Sequence, residues 1–109
     1  MNKLNHMSTI RAGIVGGAGY TGGELIRILI HHPSVEITAV VSKSQAGKYI
    51  HEVHGDLLGE LELQFVSALT GPLDVLFLCV GHGEARKFLE ASQIPDGVRV
   101  IDLSQDFRL

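Results

Sequence analysis

Four glycines, Gly16, Gly17, Gly19 and Gly22, follow the apolar run Ile14-Val15 and lead into the helical pattern of Glu24-Leu25-Ile26. Two registers fit: Gly17, Gly19 and Gly22 give G-x-G-x-x-G, and Gly16, Gly19 and Gly22 give G-x-x-G-x-x-G. The chemistry is the same in both. A helix begins with backbone N–H groups that lack partners and carries the positive end of its dipole there, so it attracts phosphate. A side chain on the loop would hold the phosphates away from those amides. The order strand, glycine loop, helix therefore predicts a cradle for a nucleotide diphosphate. Tyr20 and Thr21 open that helix, so their amides, and the Thr21 hydroxyl, face the anion.

These residues need a sheet to hold them. Apolar runs alternate with helical patterns, which predicts a parallel α/β domain. The expected strands are Arg11–Val15, Val35–Val41, Leu61–Val66, Leu73–Val80 and Val98–Asp102. The expected helices begin near Tyr20 and Glu84, and a short one covers Tyr49–His54. Leu25, Ile26, Ile28, Leu29 and Ile30 form the buried face of the first helix, and Phe88 and Leu89 turn inward from the later one. Five strands with right-handed crossovers give a Rossmann-like, doubly wound, mostly parallel sheet in the order 3-2-1-4-5. Strands one and four are then neighbours, and a crevice opens at their C-terminal ends. Gly81-His82-Gly83, a second glycine junction, falls at the same place.

The end of the second strand selects the dinucleotide. A carboxylate there, about 20 residues past the glycines, binds a ribose 2′-hydroxyl. Here the segment reads Val40-Val41-Ser42-Lys43-Ser44, followed by Gly47-Lys48. The cations Lys43 and Lys48 and the hydroxyls of Ser42 and Ser44 suit a 2′-phosphate, so NADP is expected over NAD. A solvated polar turn is the plainer alternative.

Composition bounds the function. The chain has 109 residues, 45% of them hydrophobic, and a formal net charge of −3. That is one small domain with a core, residues 11–109, behind a polar tail of residues 1–10. No basic stripe predicts a nucleic-acid partner, and no apolar run predicts a membrane span. The N-terminus lacks a signal-peptide core, and the single cysteine rules out an internal disulfide framework, so a cytoplasmic protein is expected. Cys79 lies in a strand expected to be buried, where a thiol reacts poorly, so it is read as core or crevice lining. His51, His54 and Asp56 have helical spacing for two metal ligands but no third or fourth follows, so they are read as a solvated loop and no metal is expected.

Three stretches together carry a resemblance: Gly16-x-x-Gly19-Tyr20-Thr21-Gly22-x-Glu24-Leu25, Ser42-Lys43-Ser44-x-Ala46-Gly47-Lys48, and Ile101-Asp102-Leu103-Ser104-x-Asp106-Phe107-Arg108-Leu109. From Ile14 to Leu109 the chain resembles the N-acetyl-γ-glutamyl-phosphate reductases of arginine biosynthesis, within the aspartate-semialdehyde-dehydrogenase-like group. Lys43 stands where the family often has Arg, which keeps the charge and loses a bidentate fork. Gly81-His82-Gly83 stands near a common Pro-His-Gly.

The resemblance implies an oxidoreductase that reduces an acyl phosphate to an aldehyde with NADPH. It implies cofactor contacts at Gly16, Gly19, Tyr20, Thr21, Gly22, Ser42, Lys43, Ser44, Lys48, Gly81, His82, Gly83 and Ser104. It also implies a whole protein roughly two to three times longer, with a second domain that holds the nucleophile and the oligomer contacts. The family's Asn-Pro-Gly-Cys-type nucleophile motif is absent from these residues. The expectation is a cofactor domain with no catalytic residue of its own, inactive alone and part of a homo-oligomer at full length. An aspartyl or aminoadipyl phosphate reductase, or a stand-alone nucleotide-sensing module, are the alternatives.

Overall fold

The computed structural model describes residues 9–103. Its elements run β1 (Ile10–Val15), α1 (Tyr20–Leu29), β2 (Val35–Val41), α2 (Ile50–Val53), a 3-10 turn (Gly55–Leu57), β3 (Val75–Leu78), α3 (His82–Ala91) and β4 (Arg99–Asp102). The sheet is parallel throughout, in the order β2-β1-β3-β4.

This corrects the five-stranded expectation. The stretch expected as a third strand, Leu61–Val66, makes two isolated bridges instead: Val66 pairs parallel with Val41, and Gln64 pairs antiparallel with Tyr49. Each pairing stops at a single bridge, so the segment adds no ladder to the sheet. Phe65 is buried between them, and its N–H donates to the Lys48 carbonyl at 2.8 Å.

Strand alternation sends side chains to both faces of the sheet, and each face has its own core. Ala12 and Ile14 of β1 join Ile26 and Leu29 of α1, Ile37 and Val40 of β2, and Ile50, Leu57 and Phe65. Val15, Val41, Leu76 and Leu78 meet Ala85 of α3 on the opposite side, with Phe88 packed against them. This two-sided cover is why β1 is almost wholly apolar. Two expected core positions differ. Ile28 is 65% exposed and Leu89 36% exposed. Both helices are covered along one stripe only, and these residues lie outside it.

Two ion pairs join segments distant in sequence. Arg11, at the start of β1, donates from Nε and Nη2 to both carboxylate oxygens of Asp74, just before β3. Arg27 on α1 does the same to Asp56 in the 3-10 turn, at 2.7 and 2.8 Å.

Candidate functional site

β1 lies between β2 and β3, and the chain leaves β1 toward one neighbour and returns beside the other. A crevice is expected outside the C-terminal ends of strands at such a point. One of about 810 Å³ is present there. Its walls come from the turns after β1 (Gly16, Ala18, Gly19), after β2 (Ser42, Lys43, Ser44) and after β3 (Cys79, Val80), and from α3 (Gly83, Glu84, Lys87, Phe88).

The four glycines divide into two roles. Gly16 has φ +88°, and a β-carbon on it would lie 2.5 Å from Val80 Cγ1 and 2.7 Å from the Cys79 carbonyl oxygen. A β-carbon on Gly17 would overlap Val40, and one on Gly22 would overlap the Gly16 carbonyl oxygen. These three let the loop, helix and strand pack closely. Gly19 is different: among the described residues a β-carbon there would meet only the Gly16 carbonyl oxygen, at an ordinary 3.7 Å. Gly19 is exposed, and its bare surface faces the opening.

Hydrogen bonds select which amides remain for a ligand. Gly16 and Gly17 both donate to the Val41 carbonyl, at 2.9 and 3.3 Å, and Gly19 donates to Gly16. Gly19 is the N-cap of α1, and no side chain caps the helix. The amides of Tyr20, Thr21 and Gly22 occupy the first turn, where an α-helix has no internal acceptors. No acidic residue occupies that turn. A dinucleotide's pyrophosphate fits this end: it is glycine-lined, uncapped and free of carboxylates. The Tyr20 side chain is 81% exposed and, like that of Thr21, lies outside the crevice lining.

At the end of β2, Ser42 is buried. Its N–H donates to Val66, and its hydroxyl accepts from the Gln45 N–H at 3.3 Å and lies 3.5 Å from the Ser44 hydroxyl. Lys43 and Ser44 are exposed on the crevice wall. Lys48 stands off that wall, in the turn leading to α2. Gly81 is the N-cap of α3, and a β-carbon there would meet nothing within 4 Å among the described residues. The backbone of His82 opens α3, and its ring lies outside the described part of the structure. Ser104, Asp106 and Arg108 also lie outside the described residues.

Sequence reasoning missed Glu84 and Lys87. Their i, i+3 spacing puts both on the helix face that follows Gly83 toward the crevice. Cys79 is a lining residue just beyond β3. Burial, and then the nearby charge of Asp102, push its thiol up to about 11.

His54 overturns the expectation of a solvated loop. It is buried, at 9% exposure, and its Nε2 lies 2.7 Å from the Gly17 carbonyl oxygen. Among the described residues no group of three or more His, Cys, Asp or Glu side chains is placed to hold a metal ion, and no helix is long and apolar enough to cross a membrane.

Comparison with known proteins gives consistent results. The sequence profile described as semialdehyde dehydrogenase, NAD binding domain, matches residues 11–109. The chain is 50% identical over 100 residues to the N-acetyl-gamma-glutamyl-phosphate reductase of Christiangramia forsetii, covering 92% of this chain and 31% of that protein. It is 52% identical over 101 residues to the protein of the same name from Bacteroides fragilis, with the same coverage. This chain thus spans about a third of the length of these curated relatives. Among solved structures, the aspartate semialdehyde dehydrogenase of Candida albicans, crystallised with NADP, superposes with a TM-score of 0.73. That match is 24% identical and covers 90% of this chain and 30% of that one, a likeness of fold.

Proposed function

This chain belongs to the semialdehyde dehydrogenase NAD-binding-domain family, and from that premise we propose that it is the NADP-binding portion of an N-acetyl-γ-glutamyl-phosphate reductase. The observation that carries the reading is the crevice itself, with an uncapped helix end on one wall and a lysine in place of a carboxylate after β2.

The amides of Tyr20, Thr21 and Gly22 hold the pyrophosphate, and Gly19 lets it come close. Lys43 and Ser44 receive the 2′-phosphate, on a turn fixed by the Ser42 hydroxyl. Lys48, off the wall, adds to the positive field. Gly81, His82 and Gly83 approach the nicotinamide half, and Ser104 contacts the cofactor beyond β4. Phe88, Val80 and Cys79 form the apolar floor that excludes water.

Bound NADPH supplies the hydride that turns an acyl phosphate into an aldehyde. This chain contributes the grip and the orientation. Its one thiol is half-buried and, pushed up to about 11, hard to ionise, so the nucleophile belongs to the remaining part of the enzyme. In the full-length, cytoplasmic homo-oligomer that part also reads the acyl group. Half identity to reductases of that name supports N-acetyl-glutamyl phosphate over its aspartyl and aminoadipyl counterparts.

Calorimetric titration of the chain with NADPH and NADH tests the reading. NADPH is expected to bind more tightly, and equal affinities, or no binding by either, refute it.

A further inference from the structure

Gly17 is buried and off the crevice wall, and among the described residues its carbonyl oxygen takes its hydrogen bond from the His54 ring and not from a backbone amide. A carbonyl oxygen only accepts, so His54 Nε2 must carry the proton and donate. The ring lies over α1 in space that Gly23 leaves open: a β-carbon on Gly23 would fall 2.6 Å from His54 Cε1 and 3.0 Å from Nδ1. One ring therefore touches both the phosphate loop and the helix that follows it.

The segment carrying His54 is itself anchored. The His54 N–H donates to Ile50 at 2.8 Å, and its carbonyl accepts from Leu57 at 2.9 Å. Two residues on, Asp56 takes the bidentate bond from Arg27 of α1. Residues 50–57 thus form a buttress behind the glycine loop, with His54 as its contact point.

We infer that His54 is a positioning residue for the phosphate cradle: by holding the Gly17 carbonyl it fixes the peptide planes between Gly17 and Gly19 and aims the first amides of α1 at the pyrophosphate. This rests on the proposed NADP site. His54 touches no ligand and acts only through the loop.

The test separates the two ends of the cofactor by calorimetry. NADPH engages both the cradle and the Lys43 turn, whereas 2′-AMP lacks the pyrophosphate and engages the turn alone. In His54→Leu the NADPH affinity is expected to fall about tenfold or more, because a buried acceptor loses its donor. The 2′-AMP affinity is expected to stay within about twofold. His54→Gln, whose amide nitrogen reaches as far as Nε2, restores NADPH binding, and the shorter His54→Asn does not. Should the leucine variant not fold, the Gln and Asn pair decides. Unchanged NADPH binding in His54→Leu or in His54→Asn, or equal loss of both ligands without rescue by Gln, overturns the inference. A wild-type chain that binds neither ligand instead overturns the site reading on which it rests.

Discussion

The α-carbon of Gly22 is packed so closely on Gly16 that a single added methyl would collide with the Gly16 carbonyl oxygen, and would lie 2.7 Å from the Gly17 α-carbon. Gly19, between them, has no such neighbour. The two glycines of one motif therefore fail differently. Gly22→Ala is expected to destabilise the fold by about 1–3 kcal/mol, since the obstruction is backbone and cannot rotate away. Gly19→Val is expected to cost at most about 1 kcal/mol as a poorer N-cap and yet to remove NADPH binding. Urea titration paired with calorimetry checks both, and the opposite pattern would reverse the assignment.

Lys43 and Lys87 approach the crevice from opposite sides of β1. Lys43→Ala is expected to reduce the NADPH-over-NADH preference about tenfold, the scale of one lost charged hydrogen bond. Lys87→Ala is expected to weaken both nucleotides equally and leave their ratio intact. Measured Kd values for the two cofactors in each variant separate the roles. A ratio unmoved by Lys43→Ala counts against the 2′-phosphate contact.

Cys79 is the sole cysteine of the chain, so thiol labelling reports on one place. With the thiol pushed up to about 11 by burial, and then by Asp102, little thiolate exists at neutral pH. Alkylation by iodoacetamide at pH 8 is expected to run about 100-fold slower than for an unhindered cysteine. Because Cys79 lines the crevice, saturating NADPH is expected to slow it further. Fast labelling, or labelling indifferent to NADPH, would contradict the described crevice.

The Arg27–Asp56 clamp predicts an acid response. The hydrogen bond from Arg27 holds the Asp56 carboxyl down to about 2 in the folded chain, against an unfolded value of about 3.9. A lowered folded value means the contribution is complete above the unfolded value and disappears as pH falls toward 2. Asp74 is shifted the same way by Arg11. Urea midpoints are expected to drop between pH 4 and pH 2, and Asp56→Asn to lower the midpoint at pH 7 while flattening that drop. An equally steep drop in Asp56→Asn would show that the clamp contributes nothing.

Much of the frame was legible from local pattern. The span Val35–Val41 emerges with the boundaries its apolar run predicts, and the glycine junction leads into α1 at Tyr20. Leu61–Val66 misled because alternating Leu61, Leu63 and Phe65 promise a strand, while the number of partners beside it is a tertiary property. His54 was illegible for a related reason. Its spacing to His51 is local, but the space for its ring comes from Gly23, and its acceptor lies 37 positions upstream. Lys87 lies one helical turn past Gly83, and only the place of α3 beside β1 brings it to the crevice wall.

The central place of β1 has a consequence for how the molecule is made. Arg11 precedes its partner Asp74 by 63 positions, so during synthesis β1 waits for much of the sheet before its second neighbour exists. Contacts this distant along the chain carry a large closure entropy and slow the search for the native state. Until β3 arrives, one edge of β1 keeps its N–H and C=O groups unpaired, a template on which a nascent chain can aggregate.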